Sequence, residues 1–251
     1  MDQANPVATP IENGFIRQKS DKIATATDIK WYQQAIGSLL YAALLTRPDI
    51  AYTVNMLAKY SSNPGTEHTK AVKRVFRYLK GSLDYNITYN GNTPNSQYIK
   101  GYTDADYGGD QDEYKSTTGY IFFLAQGPIT YSTKLQEVTA QSTTEAEYIA
   151  LVTAAKEATF IKAILEELDY LRQSNIPIYS DNNGALLLAK NPAFHARSKH
   201  INVRYHLIRQ KLADNTISIH YIPTKQQVAD GLTKPLPRVK FKEFLNLIKA
   251  I

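Results

Sequence analysis

The chain has 251 residues, 43% of them hydrophobic, which is ordinary for a packed globular protein and excludes a disordered one. It has no cysteine, so disulfides and thiolate metal sites are excluded and any metal must be held by oxygen or imidazole ligands. The formal net charge of +6 suits a polyanionic partner. Neither a secretion signal nor an apolar run of ~18 residues is present, so we expect an intracellular protein, cytoplasmic or nuclear, without membrane contact.

The first part of the chain predicts a flexible leader followed by a small helical subdomain. Residues 1–27 are polar and contain two prolines, which indicates an extended or disordered leader. Apolar residues then recur at helical spacing, and Thr27 is a suitable N-cap for the first helix. The predicted helices cover 28–43, 48–60 and 66–79, the second with Pro48 in its first turn and the third ended by Gly81.

The third helix has a basic face that includes Lys73, Arg74 and Arg77. Two interpretations are open. Charges on one side of a helix most often form a solvated face. Cations in a row can also contact a nucleic-acid backbone, and on that interpretation these three residues bind substrate. The segment 90–96 then interrupts all periodicity, so we place a domain boundary before residue 96.

The rest of the chain predicts an α/β domain. Short apolar runs indicate strands, and longer periodic stretches indicate helices. The predicted strands are 98–103, 119–124, 129–132, 176–180 and 217–222, the first three in an antiparallel meander. The predicted helices are 144–168, 183–190, 200–213 and a basic C-terminal helix over 238–251. Strands and helices in this order indicate a mixed sheet with helices packed on it.

Four acidic residues stand out by their positions. Asp104 and Asp181 each follow an apolar strand, and the carboxyl ends of neighbouring parallel strands meet at one edge of a sheet. Glu147 lies in the first predicted turn of the long helix, and Asp230 opens a later helical segment. Each residue alone is explained as a turn or cap residue. All four together indicate a shared site.

Such a set of carboxylates is typical of two-metal phosphodiester hydrolysis. Oxygen ligands suit Mg²⁺, which keeps part of its coordination shell for substrate phosphate, and Mn²⁺ can substitute for it. The sequence contains no HExxH, GxSxG or GxxxxGK[ST] motif that would indicate another chemistry.

Six segments in order resemble the ribonuclease H domain of copia-type retrotransposon Pol polyproteins. They are YTDADYGG, TTGYIFFL, STTEAEYIALVTAAKEA, YSDNNGALLLAKNP, RSKHINVRYHLIR and HYIPTKQQVADGLTKPL. The resemblance covers residues 96–237. It implies a ribonuclease H-like mixed five-stranded sheet with flanking helices, and an enzyme that cuts the RNA strand of RNA–DNA hybrids during reverse transcription.

The resemblance also implies a metal-binding tetrad at Asp104, Glu147, Asp181 and Asp230. Family helices commonly read Glu-x-x-Ala, which favours Glu147 over the alternative, Glu145. For Asp106 we expect a supporting or solvent-facing role. Related bacterial enzymes use a histidine shortly before the last aspartate, and the segment IPTKQQVAD contains none.

Basic residues of the RSKHINVRYHLIR segment are our candidates for holding the hybrid backbone. They are Arg197, Lys199, Arg204 and Arg209. The histidines of this segment, His200 and His206, do not share a helix face, so we favour packing or a phosphate contact over metal binding for them.

Residues 28–89 resemble the segment that links polymerase to ribonuclease H in the same polyproteins. No Tyr-x-Asp-Asp polymerase motif occurs, so a reverse transcriptase polymerase domain encoded elsewhere is an expected partner. Two alternatives stay open. One is a non-catalytic nucleic-acid-binding or scaffold fragment, and the other is a DNA nuclease or integrase-like enzyme.

Overall fold

The computed structural model describes residues 3–15, 18–92, 96–170, 173–190 and 199–249, with the backbone alone at 199–205 and 249. The helices are α1 (Ala26–Leu45), α2 (Pro48–Ala58), α3 (Thr66–Lys80), α4 (Thr143–Glu167), α5 (Asn183–Lys190), α6 (Lys199–Ala213) and α7 (Arg238–Lys249). The strands are β1 (Lys100–Asp106), β2 (Thr117–Leu124), β3 (Gly127–Leu135), β4 (Ile176–Ser180) and β5 (Ile217–Tyr221). Short 3-10 helices cover Thr224–Gln226 and Val228–Leu232. Across these ranges no helix combines the length and the apolar character needed to cross a bilayer.

The five strands form one mixed sheet in the order β3-β2-β1-β4-β5. The meander β1-β2-β3 is antiparallel, whereas β4 joins β1 and β5 in parallel. The predicted fold class, a mixed five-stranded sheet with flanking helices, is therefore confirmed.

Helix α4 packs on one face of the sheet through a run of small residues. Ser142 caps the helix by accepting a hydrogen bond from the Glu145 amide. Alanines at 150, 154, 155 and 158 are fully buried, and the last three belong to a core that includes Ile176 and Ile178 of β4. Since alanine has the shortest side chain that still favours a helix, this face lets α4 lie close to the strands.

The helical subdomain and the other face of the sheet share one hydrophobic core. Tyr32 of α1, Val72 of α3, Phe123 of β2 and Phe244 of α7 all belong to the same buried cluster. The domain boundary before residue 96 stays a prediction. It does not separate two cores, because residues on both sides of it belong to this cluster. The C-terminal helix is likewise part of this core, with its buried Phe244 facing inward.

The leader packs against α3, in contrast to the flexible segment that we expected. Ile11 is only 3% exposed and lies in the shared core, and Thr9 is also buried. The polar composition did not reveal this packing, because the leader is also held by hydrogen bonds between its polar groups and α3. Arg77 Nε donates to the Asn5 carbonyl at 2.7 Å, and Arg74 donates to Glu12 at 2.6 Å.

The helix ends follow the expected chemistry, with one correction. Thr25 caps α1 by accepting from the Asp28 amide, so the cap lies two residues before the predicted Thr27. Pro48 begins α2 and Gly81 ends α3, as predicted.

Candidate metal centre on the sheet

Asp104 lies inside β1 and does not follow it, which corrects the sequence prediction. Antiparallel pairing with β2 continues to Asp106, whereas parallel pairing with β4 stops at Tyr102. Asp104 is therefore beyond the end of the β4 pairing while its own strand goes on. Asp106, predicted to lie past the strand, is its last residue.

Asp181 and Glu147 approach Asp104 from β4 and α4. Asp181 directly follows β4, as predicted. Glu147 lies in the second turn of α4, not the first, because the helix begins at Thr143. The first turn holds Glu145, whose carboxylate accepts a hydrogen bond from the Gln141 amide at 2.8 Å. Glu145 is thus occupied as a capping residue, and Glu147 is the glutamate that faces the aspartates.

Three carboxylates meet at this point of the sheet. Asp104, Glu147 and Asp181 each offer an oxygen, and these oxygens all lie within 4.8 Å of one another. Asp104 and Glu147 are buried, with 3% and 7% of their surfaces exposed. Like charges this close, in a site with little water, disfavour full ionisation in the absence of a cation.

Burial is the main cause of the raised pKa values of Asp104 and Glu147. It raises the pKa of Asp104 to about 7, with a further contribution from the Asp230 carboxylate. It raises the pKa of Glu147 to about 9, to which Asp104 and Asp181 add. The cluster therefore holds protons near neutral pH until a cation replaces them.

The fourth predicted carboxylate, Asp230, stands beside this trio. It lies in the middle of the 3-10 helix Val228–Leu232, whereas we predicted that it opens a helical segment. Its Oδ1 forms an ion pair with Lys234 Nζ at 2.7 Å. Its charge contributes to the raised pKa of Asp104, after the larger effect of burial.

Two residues just after Asp230 were not predicted to belong to the site. The Thr233 hydroxyl donates to Asp104 Oδ2 at 2.5 Å. Burial acts to lower the pKa of Lys234, but Asp104 and Asp230 outweigh it and the pKa is raised. The signal for both was the spacing of Asp-x-x-Thr-Lys, which places Thr233 and Lys234 one turn beyond Asp230.

Because Gly119 has no side chain, the segment 228–234 can lie close to the sheet. Gly119 pairs with Asp104 across β1 and β2. A Cβ built at Gly119 would lie 2.7 Å from Thr233 Cγ2 and 2.9 Å from Leu232 Cβ. The hydroxyl of Thr133 on β3 donates a hydrogen bond to the Leu232 carbonyl at 2.8 Å, which fixes the segment against the sheet.

The predicted substrate-binding residues are dispersed. Arg197 lies outside the described residues. Lys199 and Arg204 lie in the first part of α6, residues 199–205, for which only the backbone is described. Arg209 is a half-buried residue of the same helix. The basic face of α3, with Lys73, Arg74 and Arg77, belongs to the helical subdomain and contacts the leader. The side chain of His200 is also outside the described part, whereas His206 is exposed.

A mixed sheet of this order, with acidic residues meeting where β1 and β4 part, defines a ribonuclease H-like fold. The amino-acid sequence is similar to segments of retrotransposon Pol polyproteins. It is 43% identical over 254 residues to the "Retrovirus-related Pol polyprotein from transposon TNT 1-94" of Nicotiana tabacum. It is 41% identical over 251 residues to the corresponding polyprotein from transposon RE2 of Arabidopsis thaliana.

Each match covers 99% of this chain, and the chain spans 19% and 17% of the length of these two relatives. Over almost its whole length the chain is similar to a segment of copia-type retrotransposon Pol polyproteins, which confirms the predicted resemblance. No family model matches it.

Solved structures with a similar arrangement include the RNase H1 of the archaeon Halobacterium salinarum NRC-1. That match has 16% identity and a TM-score of 0.41, and it covers 54% of this chain and 94% of the archaeal one. A foamy viral protease-reverse transcriptase in complex with double-stranded DNA matches with 16% identity and a TM-score of 0.48, covering 83% of this chain and 34% of that one.

Proposed function

We propose that this chain hydrolyses the RNA strand of RNA–DNA hybrids at the carboxylate trio, using two divalent cations, Mg²⁺ or Mn²⁺. The observation that carries the proposal is the meeting of Asp104, Glu147 and Asp181 oxygens within 4.8 Å on a ribonuclease H-like sheet. The relatives are Pol polyproteins, so we place the reaction in reverse transcription, with a polymerase domain as the source of the hybrid.

The residues of the site fit a hard divalent cation. Glu147 Oε2 is buried without a hydrogen-bond partner among the described residues, and a buried carboxylate oxygen of this kind is costly unless a cation pairs with it. All the candidate ligands are carboxylate oxygens, which Mg²⁺ and Mn²⁺ prefer. Asp104, Glu147 and Asp181 would hold one ion, and Asp230 would contribute to the second.

The cations supply the positive charge that stabilises an in-line displacement at phosphorus. The chain supplies the geometry. The Thr233 hydroxyl orients Asp104, and the amide of Ala105 hydrogen-bonds to the Glu147 carboxylate. Lys234 neutralises part of the negative charge that four acidic side chains accumulate. Recognition of the 2′-OH would distinguish RNA from DNA.

Cleavage of a hybrid labelled on each strand tests the proposal. We expect the wild type to cut only the RNA strand in Mg²⁺ or Mn²⁺. Asp104→Asn and Asp181→Asn should lose more than about a hundredfold in rate, because even residues that only support metal ligands cost up to about that much. Asp21→Asn, at an exposed leader residue, is the matched control and should retain full activity.

Two results would contradict the proposal. If folded wild type binds the hybrid but cuts neither strand with either metal, the chain is a binding module. If both strands are cut equally, it is a nuclease of another specificity.

A further inference from the structure

The basic face of α3 forms a continuous stripe on the side of the molecule that carries the leader. Cations recur at spacings of three and four along it, so they lie on one face of the helix. The members of the basic stripe are Lys70, Lys73, Arg74, Arg77 and Lys80. Ten residues of helix separate the first from the last, which is about 15 Å at ~1.5 Å per residue.

The carboxylates near this stripe neutralise only part of its charge. Lys70 pairs with Glu67 at 2.7 Å on an exposed surface, and Arg74 pairs with Glu12 at 2.6 Å. The leader meets Arg77 and Lys80 through the carbonyl oxygens of Asn5 and Ala4, which carry no formal charge. Lys70 and Arg74 thus each face a carboxylate, whereas Lys73 and Arg77 face none among the described residues, so the stripe keeps a net positive charge.

A cavity of about 490 Å³ opens between the leader and α3. Its lining includes Glu12, Phe15, Lys70, Lys73, Arg74 and Arg77. Arg74 Nε is buried and has no hydrogen-bond partner among the described residues, although buried donors are almost always paired. The cleft thus combines cations with a donor that lacks an acceptor.

An aromatic side chain flanks the stripe. Trp31 of α1 is 39% exposed, and Lys73 Nζ lies 5.6 Å from the centre of its ring. This cation–π contact positions Lys73 at one edge of the stripe. A stripe of about 15 Å matches roughly four phosphates of one strand, at ~3.4 Å of axial rise for each.

We propose that the basic stripe of α3 binds the phosphodiester backbone of the hybrid away from the carboxylate centre, and that Glu12 competes with phosphate for Arg74. The inference rests on the proposed function, since it assigns a second contact to the same substrate. In this arrangement the leader acts as an internal counter-charge that sets how tightly the helical subdomain holds nucleic acid.

Fluorescence anisotropy with a labelled RNA–DNA hybrid in EDTA measures this binding without cleavage. The double variant Lys70→Ala/Lys73→Ala should bind about tenfold more weakly, with the slope of log affinity against log salt reduced by about two. Glu12→Gln should bind about two- to fivefold more tightly, the range expected for removing one exposed ion pair.

A matched control removes equal charge elsewhere. Lys134 pairs with Glu137 in an exposed i,i+3 pair like that of Lys70 with Glu67, and Lys156 lines the same surface cleft as Lys134. The double variant Lys134→Ala/Lys156→Ala should lose much less affinity than the α3 variant. Equal losses in the two double variants, or an unchanged affinity in Glu12→Gln, would overturn the proposal.

The outcome is separable from that of the proposed function. If the chain does not cleave the hybrid but the α3 variant binds weakly, the stripe stands and the catalytic proposal fails. If the chain cleaves and the α3 variant binds and cleaves as the wild type does, the catalytic proposal stands and the stripe fails.

Discussion

At the scale of single residues, the carboxylate trio combines high burial with high charge density. Asp104 and Glu147 have raised pKa values of about 7 and about 9, against ordinary values of 3.8 and 4.5. At pH values between the ordinary and the raised pKa of each group, the folded state therefore binds more protons than the unfolded state. Linkage then requires the free energy of unfolding of the cation-free protein to fall as pH rises through this window.

This sign predicts that the melting temperatures of Glu147→Gln and the wild type diverge as pH rises. In EDTA near pH 5 the glutamate is protonated in the fold, so the variant should melt at the same temperature as the wild type. Near pH 9 the wild type loses stability through ionisation, and the variant should melt at a higher temperature. Added Mn²⁺ should reverse the order at high pH, because it stabilises only the complete ligand set.

Thermal melts followed by circular dichroism measure this divergence. Glu243→Gln, at an exposed residue of α7, is the control and should melt as the wild type does at each pH. A constant difference between Glu147→Gln and the wild type at all pH values would contradict the burial argument.

The three acidic residues that meet on the sheet could be predicted from the sequence, whereas the side chains that contact them could not. Asp104, Glu147 and Asp181 were identified because acidic residues next to apolar strands or near a helix start are visible in the sequence. Thr233 and Lys234 were missed, since the segment after Asp230 forms a 3-10 helix and a turn whose direction depends on tertiary contacts. The periodicity of a sequence carries no information on such a turn.

At the scale of elements, the site depends on the close approach of the 228–234 segment to β2. Gly119→Ala should push this segment away, because its Cβ would overlap Thr233 and Leu232. We expect a loss of about 1–3 kcal/mol in the free energy of unfolding, as for other overpacked positions. Hybrid cleavage should fall by about tenfold or more through the disturbed contact to Asp104.

Gly37→Ala is the matched control for this prediction. Gly37 lies inside α1, and a Cβ there meets no atom within 4 Å. That variant should gain about 0.5–1 kcal/mol from the higher helix propensity of alanine. Urea denaturation measures both changes, and a Gly119→Ala protein with wild-type stability and cleavage would show that the segment is not held as described.

Among the elements, helices with a clear apolar face were predicted almost to the residue, and β4 was predicted to the residue. The first strand was predicted as 98–103, whereas β1 covers Lys100–Asp106. The shift arises because β1 is extended by pairing with β2 as far as Thr117, a long-range contact that the local sequence does not reveal.

At the scale of the whole molecule, a buried ion pair stabilises the helical subdomain. Arg47 donates to both oxygens of Asp49 at 2.9 and 2.8 Å, and the Tyr78 hydroxyl donates to the same carboxylate at 2.5 Å. Arg47→Met would leave the carboxylate buried without its cation. We expect a loss of about 3–5 kcal/mol in the free energy of unfolding.

Because the subdomain and the sheet share one core, we also expect this variant to unfold in a single transition. The single tryptophan, Trp31, reports on α1, and far-ultraviolet circular dichroism reports on the whole chain. Because Tyr32 and Phe123 belong to one buried cluster, both signals should change at the same urea concentration. Lys30→Met, at an exposed position of α1, is the control. Two separate transitions would show that the subdomain and the sheet unfold independently.

The contact between Gly231 and Phe244 bears on how this region can be divided. A Cβ at Gly231 would lie 2.6 Å from the ring of Phe244, so the turn that carries Asp230 rests directly on α7. A piece that ends at residue 237 would contain all four acidic residues but lose the aromatic surface that supports one of them. The structural unit that holds the four acidic residues is therefore larger than the stretch of sequence that bears the motifs.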